Sequence, residues 1–190
     1  MDSTVTGAME ASAQRSGLRL SVLRAALGGY RRAMAAGAVR RAVLTVIDYT
    51  LPSHERRLWV LDLALGKVLA RELVAHGRAT GEDVARGFSN RDNSYASSLG
   101  TFVTADKYNG KNGPSLRLQG LDPGLNDRAM QRGIVVHGAW YVSEDMIRRE
   151  GRLGRSEGCP ALSTSAAPRI IDMISDGSVV FAYYTATPER

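Results

Sequence analysis

Between residues 18 and 36 the apolar positions Leu20, Leu23, Leu27, Tyr30 and Met34 recur at alternating steps of three and four, the spacing that stacks side chains on one face of a helix. Gly28 and Gly29 weaken that helix in its middle, where a bend is expected, and Gly37 ends it. An amphipathic stripe needs a surface to pack on. Residues 1–41 therefore read as an N-terminal helical extension docked on the domain that follows, residues 42–190.

From residue 42 the period changes. Short apolar runs rich in β-branched and aromatic residues predict strands over 43–47, 58–63 and 68–74. Gly66 and Lys67 join the second and third as a hairpin. Further strands are expected over 100–104, 115–119, 134–137 and 179–184. Two short helices fit between them. Ser143 caps the first, with Glu144 and Asp145 placed well against the helix dipole. The second starts at Ser163, Thr164 and Ser165, carries Pro168 in its first turn, and ends before Gly177. Residues 76–98, rich in Gly, Ser and Asn, read as a long loop, and loops of that length commonly carry function. The pattern is mainly β, with short helices and no internal repeat.

Composition adds bounds. In 190 residues, 44% hydrophobic and 23% charged content is that of an ordinary folded domain. A net charge of +6 permits a polyanionic partner. The basic residues, however, come as scattered pairs (Arg31 and Arg32, Arg40 and Arg41, Arg56 and Arg57, Arg148 and Arg149), without an aromatic-interleaved stripe, so no nucleic-acid partner is expected. A carboxylate-rich substrate suits the charge equally well. The one cysteine excludes an internal disulfide and a multi-cysteine zinc site, and no metal or cofactor is expected. No apolar run is long enough for a membrane span. Residues 1–14 lack the basic start and apolar stretch of a secretory signal, so the protein is either cytoplasmic or has had its signal removed.

Two short motifs carry candidate chemistry. Arg155, Ser156, Glu157, Gly158, Cys159 and Pro160 place the cysteine after a glycine, where the backbone can approach a substrate closely. Pro160 has no N–H, so the amides free to face an oxyanion are those of Glu157, Gly158 and Cys159. Upstream, Ile134, Val135, Val136, His137 and Gly138 put a histidine at the end of a strand that looks buried. An imidazole beside a thiol is what raises its nucleophilicity at neutral pH. Spacing alone leaves their contact open, because a lone cysteine is as often a buried small hydrophobe.

These motifs, with Arg57 to Asp62, Ala75 to Gly77, Ser98 to Phe102 and Tyr108 to Lys111, make the chain resemble the YkuD-like murein L,D-transpeptidase catalytic domains over about residues 43–184. The resemblance implies a β-rich sandwich and a periplasmic or cell-wall enzyme that crosslinks peptidoglycan stem peptides, as donor and acceptor, and is a target of carbapenems. It also implies Cys159 as nucleophile, His137 as base, and the Gly138 carbonyl as the group orienting the imidazole. A hydrolase using the same pair, or a noncatalytic cell-wall-binding module, is the alternative. Where the wider family has histidine before its Gly-Cys pair, this chain has Glu157, which is read as a solvated loop acid or a partner of Arg155 or Arg152. Candidate substrate contacts are Arg155, Ser156, Arg117, His76, Ser98, Trp140 and Tyr141. The two arginines are chosen because a guanidinium can hold a carboxylate bidentately. Each of the seven could equally be an ordinary surface, loop or core residue.

Overall fold

The computed structural model describes residues 3–186. Among them lie the strands β1 (Val43–Asp48), β2 (Arg56–Asp62), β3 (Lys67–Leu73), β4 (Gly100–Gly110), β5 (Gly113–Gly120), β6 (Val135–Ala139), β7 (Ala161–Ser163) and β8 (Val179–Tyr183). The helices are α1 (Ser3–Arg15), α2 (Leu20–Ala35), α3 (Glu144–Glu150) and α4 (Ala167–Ile174). The strands form one mainly antiparallel sheet in the order β3-β2-β1-β8-β4-β5-β6-β7, with β1–β8 and β6–β7 parallel. Just beyond β3, Ala75 N–H donates to Ala161 O of β7 at 2.8 Å. One bridge thus draws the two edges together, and the sheet curls toward a barrel.

Alternation along the strands divides the apolar residues between two cores. Val43, Ile47, Val60, Leu116, Leu118, Val136 and Val180 point inward, where Ile170, Ile171 and Ile174 of α4 fill the space. Leu44, Val46, Trp59, Leu61, Val179 and Phe181 point outward and are covered by α1 and α2. Coverage on both faces explains why β1 and β8 read as nearly unbroken apolar runs.

The helical stripe differs from the expected one. Leu23, Leu27 and Tyr30 are buried, but Met34 is 51% exposed, and Val22, Ala26, Gly29 and Ala33 complete the packed face. Small residues face the sheet here because helix and sheet lie close together. A Cβ built on Gly29 would meet Thr101 Oγ1 at 2.7 Å and Phe181 Cδ2 at 2.8 Å. Helix α1 was not foreseen as an element of its own. It buries Met9 and Ala13, and Ser12 Oγ accepts from Val68 N–H at 3.0 Å.

The expected hairpin between β2 and β3 forms, with Gly66 at φ 63°. Strand β4 runs well past the expected 104, because it continues into a hairpin with β5 after an irregularity between Thr104 and Lys107. Both short helices form: Ser143 Oγ accepts from Met146 N–H, and Pro168 sits in the first turn of α4. The segment 76–98 contains no strand or helix, yet it is tied down. Arg86 N–H donates to Thr80 O at 2.7 Å, and Ser97 N–H to Thr80 Oγ1 at 2.8 Å.

The close approach at Gly29 gives a paired test. Gly29→Ala should destabilise the protein by about 1–3 kcal/mol, because crowding outweighs the gain in helix propensity. Gly28→Ala meets only Arg32 Nη1 at 3.7 Å and should stabilise by up to about 1 kcal/mol. Urea unfolding of the two variants beside the parent measures both, and equal shifts would refute the contact.

Candidate active site

Strand register brings the two motifs together. In the parallel β6–β7 pair His137 lies opposite Ala161, so the same register carried two residues back sets Cys159 beside Val135. The contact is present: Val135 N–H points at Cys159 Sγ at 3.4 Å. The thiol in turn faces Gly133 O at 3.7 Å. His137 follows Val135 by two residues on β6, hence on the same face. Both motifs open into one cleft of about 930 Å³, a size suited to a peptide-like ligand.

His137 is buried, and its Nδ1 lies 2.8 Å from Gly138 O. A carbonyl can only accept, so Nδ1 carries the proton and Nε2 is left with its lone pair. Burial holds the imidazole pKa below its ordinary 6.5, assisted by the Lys111 charge. Burial likewise pushes the Cys159 thiol up, against the Val135 N–H and the positive charge of Arg132. The resting pair at neutral pH is therefore a thiol and a neutral imidazole.

The loop bearing Cys159 is anchored from behind. Ser156 N–H donates to His76 O at 2.9 Å, and Arg78 N–H to Ser156 O at 2.8 Å. Ser97 Oγ donates to Gly158 O at 3.0 Å and accepts from Gly77 N–H at 3.0 Å. Gly158 has φ 124°, which disfavours any side chain, and a Cβ there would stand 2.9 Å from Ala96 O. Of the three amides expected to face an oxyanion, that of Gly158 is engaged: it donates to Ser156 Oγ at 3.1 Å. The same hydroxyl donates to Cys159 O at 2.6 Å.

The remaining expected contacts divide. Arg155, Ser156, Trp140 and Tyr141 line the cleft. Trp140 is 72% exposed and meets Tyr141 edge-on, so it walls the opening and fills no core. Arg155 pairs with Glu82 at 2.6 Å, as does Arg152 at 3.1 Å. Glu157 is thus not their partner; it lies exposed, 3.9 Å from Arg78.

Three expected residues stand outside the cleft. His76 is fully buried; its Nδ1 accepts from Arg57 Nη2 at 2.7 Å and its Nε2 donates to Gly81 O at 3.1 Å. Burial and the Arg57 charge lower its pKa to about 4, so it stays neutral. Ser98 is buried, with Oγ donating to Ser89 O at 2.9 Å and accepting from Arg132 Nη1 at 2.6 Å. Arg117 stacks over the Tyr108 ring, 4.4 Å from its centroid, and only Tyr108 reaches the cleft.

Sequence reasoning missed Arg132 and Lys111, which both line the cleft and whose charges act on Cys159. Lys111 falls at the tip of the β4–β5 hairpin and Arg132 in the turn before β6, positions that look like ordinary solvated surface. Among the described residues no group of three or more His, Cys, Asp or Glu side chains could hold a metal ion. No helix among them is long and apolar enough to cross a membrane.

Solved L,D-transpeptidases are similar at low identity. One from Mycobacterium smegmatis shares 20% identity over 75% of this chain and 59% of its own, with a TM-score of 0.46. One from Stackebrandtia nassauensis shares 18% over 77% and 58%, with a TM-score of 0.47. One from Mycobacterium tuberculosis H37Rv shares 18% over 75% and 58%, with a TM-score of 0.44. This chain thus spans about three-fifths of the length of these proteins. Comparison with curated sequences finds no match. The family described as the L,D-transpeptidase catalytic domain matches residues 14–183, a span that takes in both motifs and every strand. The chain belongs to the L,D-transpeptidase catalytic domain family.

Proposed function

We propose that the protein is a cysteine acyltransferase that crosslinks peptidoglycan stem peptides through a thioester on Cys159, acting in the periplasm or cell wall. The observation that carries this reading is the cleft that Cys159 shares with a histidine whose tautomer leaves Nε2 as an acceptor.

In the first half-reaction the Cys159 proton passes to His137 Nε2 as Sγ bonds to the donor's carbonyl carbon. The Cys159 amide is the proposed oxyanion donor. Gly158 N–H could join it only by releasing Ser156 Oγ. Collapse of the tetrahedral intermediate breaks the C–N bond, and the His137 proton leaves with the amine. In the second half-reaction an acceptor amine attacks the thioester, its proton passes to His137, and then returns to the departing sulfur. No step requires a metal or cofactor. Trp140, Tyr141, Arg155 and Ser156, which line the cleft, are the proposed substrate contacts.

Transfer needs a second amine held near attack distance in competition with water. The cleft of about 930 Å³ is lined by Asp92, Tyr95, Trp140 and Thr164 as well as Cys159, and a volume of that size offers room for more than one peptide segment. Mass spectrometry of purified muropeptides incubated with the protein should show new crosslinks that increase with acceptor concentration, and Cys159→Ala should show none. Trimmed stems without crosslinks, across chemically different amines, would make the protein a hydrolase. Turnover by folded Cys159→Ala would end the thioester reading.

The depressed His137 pKa fixes the acid limb. A base is active once deprotonated, so acylation should rise with pH through a midpoint below the ordinary 6.5 and be flat at neutrality. His137→Gln should slow acylation by roughly 10²- to 10⁴-fold and remove that limb while the melting transition stays close to the parent's. A parent midpoint above 6.5, or an unchanged rate in the variant, would exclude His137 as the base.

A further inference from the structure

The turn before β6 closes around the sulfur. Its backbone supplies the Gly133 carbonyl facing the thiol and the Val135 N–H directed at Sγ. Its side chain Arg132 reaches back over the loop 76–98. Nη1 donates to Ser89 O at 2.7 Å and Ser98 Oγ at 2.6 Å, and Nη2 to Ala96 O at 2.7 Å and Ser94 Oγ at 3.0 Å.

All four acceptors are neutral, and among the described residues no carboxylate lies within ion-pair distance of this guanidinium. Most arginines near the cleft do have one: Arg128 pairs with Asp92, Arg155 with Glu82, and Arg78 approaches Glu157. Arg132 is half-buried, so solvent screens its charge only in part, and Asp92, the carboxylate that acts on it, is paired with Arg128. Arg132 borders the nucleophile's loop, since a Cβ on Gly158 would stand 3.4 Å from Nη2.

We propose that Arg132 is a positioning residue with two separable effects: its four hydrogen bonds fasten the wall behind Gly158, and its positive charge, held there by that clamp, favours the thiolate form of Cys159. The groups facing Cys159 are known. Lys111, from the β4–β5 tip, acts in the same direction as Arg132, whereas Glu157 opposes it. Tyr141 and Tyr49 are coupled to the sulfur, and His137 shares its cleft. Arg132 is the larger of the two cationic influences on the thiol. A fixed positive charge of this kind lowers the proton affinity of a thiol without supplying a proton of its own.

This inference rests on Cys159 being the nucleophile proposed above, but its test does not require turnover. Cys159 is the only cysteine, so alkylation of the folded full chain by iodoacetamide reads one thiol. The rate is followed against pH for the parent, Arg132→Gln and Arg132→Lys. Arg132→Gln should react roughly three- to ten-fold more slowly at about pH 7.5, with its whole profile displaced to higher pH. Arg132→Lys keeps the charge and loses the four-point clamp, so its profile should stay within about two-fold of the parent's while its melting temperature falls. A Gln profile that superimposes on the parent's, or a Lys profile displaced as far as the Gln one, overturns the electrostatic role. If Arg132→Gln does not fold, the charge of the probe decides. In Lys111→Gln, anionic iodoacetate should be favoured over iodoacetamide more strongly at Cys159 than at free cysteine, and added salt should erase the preference. A preference equal to that of free cysteine overturns the proposal. A muropeptide assay lacking crosslinks would refute the transferase reading and leave this alkylation result standing.

Discussion

The parallel pairing of β6 with the three-residue strand β7 is the constraint on which the site depends. It is a short contact, yet it fixes the register between two segments far apart in the chain, and a slip of one residue would turn every side chain to the opposite face. With His137 opposite Ala161, Cys159 falls beside Val135. The strand is too short to hold that register unaided. Support comes from the Ala75 bridge to Ala161 and from the hydrogen bonds between Ser156 and the backbone of residues 76 and 78.

Those supporting residues are held in turn by a buried cation. Arg57 is fully buried and donates to Val74 O, Leu51 O and His76 Nδ1, beneath the Tyr49 ring. A charge withdrawn from water must have its donors satisfied. His76 meets that demand as a neutral acceptor, which places its backbone for Ser156. Ser97, which accepts from Gly77 N–H, holds the Gly158 carbonyl. The apolar interior and the loop bearing Cys159 are thus joined through polar side chains, none of which lines the cleft.

The parts legible in the sequence were those with local signals. Alternation and turn residues located most strands, the Ser143 cap located α3, and the motifs around His137 and Cys159 marked the residues that prove to share a cleft. What escaped depends on distant partners. Strand β7 has too few residues for a period to show, and follows directly on Pro160. The packed face of α2 was misplaced because Ala26, Gly29 and Ala33 carry little hydrophobic signal, although smallness is what the nearby sheet requires. His76 was expected in the cleft because nothing near it announces Arg57 as its partner. Arg132 looked like surface for the same reason, since its acceptors lie in a loop more than thirty residues away.

The position of β8 bears on how the protein reaches this state. The strand lies between β1 and β4, and its residues pair with partners as remote in sequence as Leu44 with Val179. Without it the strand order breaks into two ladders, β3-β2-β1 and β4-β5-β6-β7, which are then bridged at Ala75 to Ala161 and at Gly77 to Ser156. Joining them means closing loops of great length before any contact repays the lost chain entropy, which makes for slow folding. During synthesis both ladders would wait, their central edges unpaired and prone to foreign strands, until the segment that zips them together had left the ribosome. Cys159 lies beside one ladder, and the backbone that braces its loop follows from the other. The bracing of the Cys159 loop therefore waits on the joining of the two ladders.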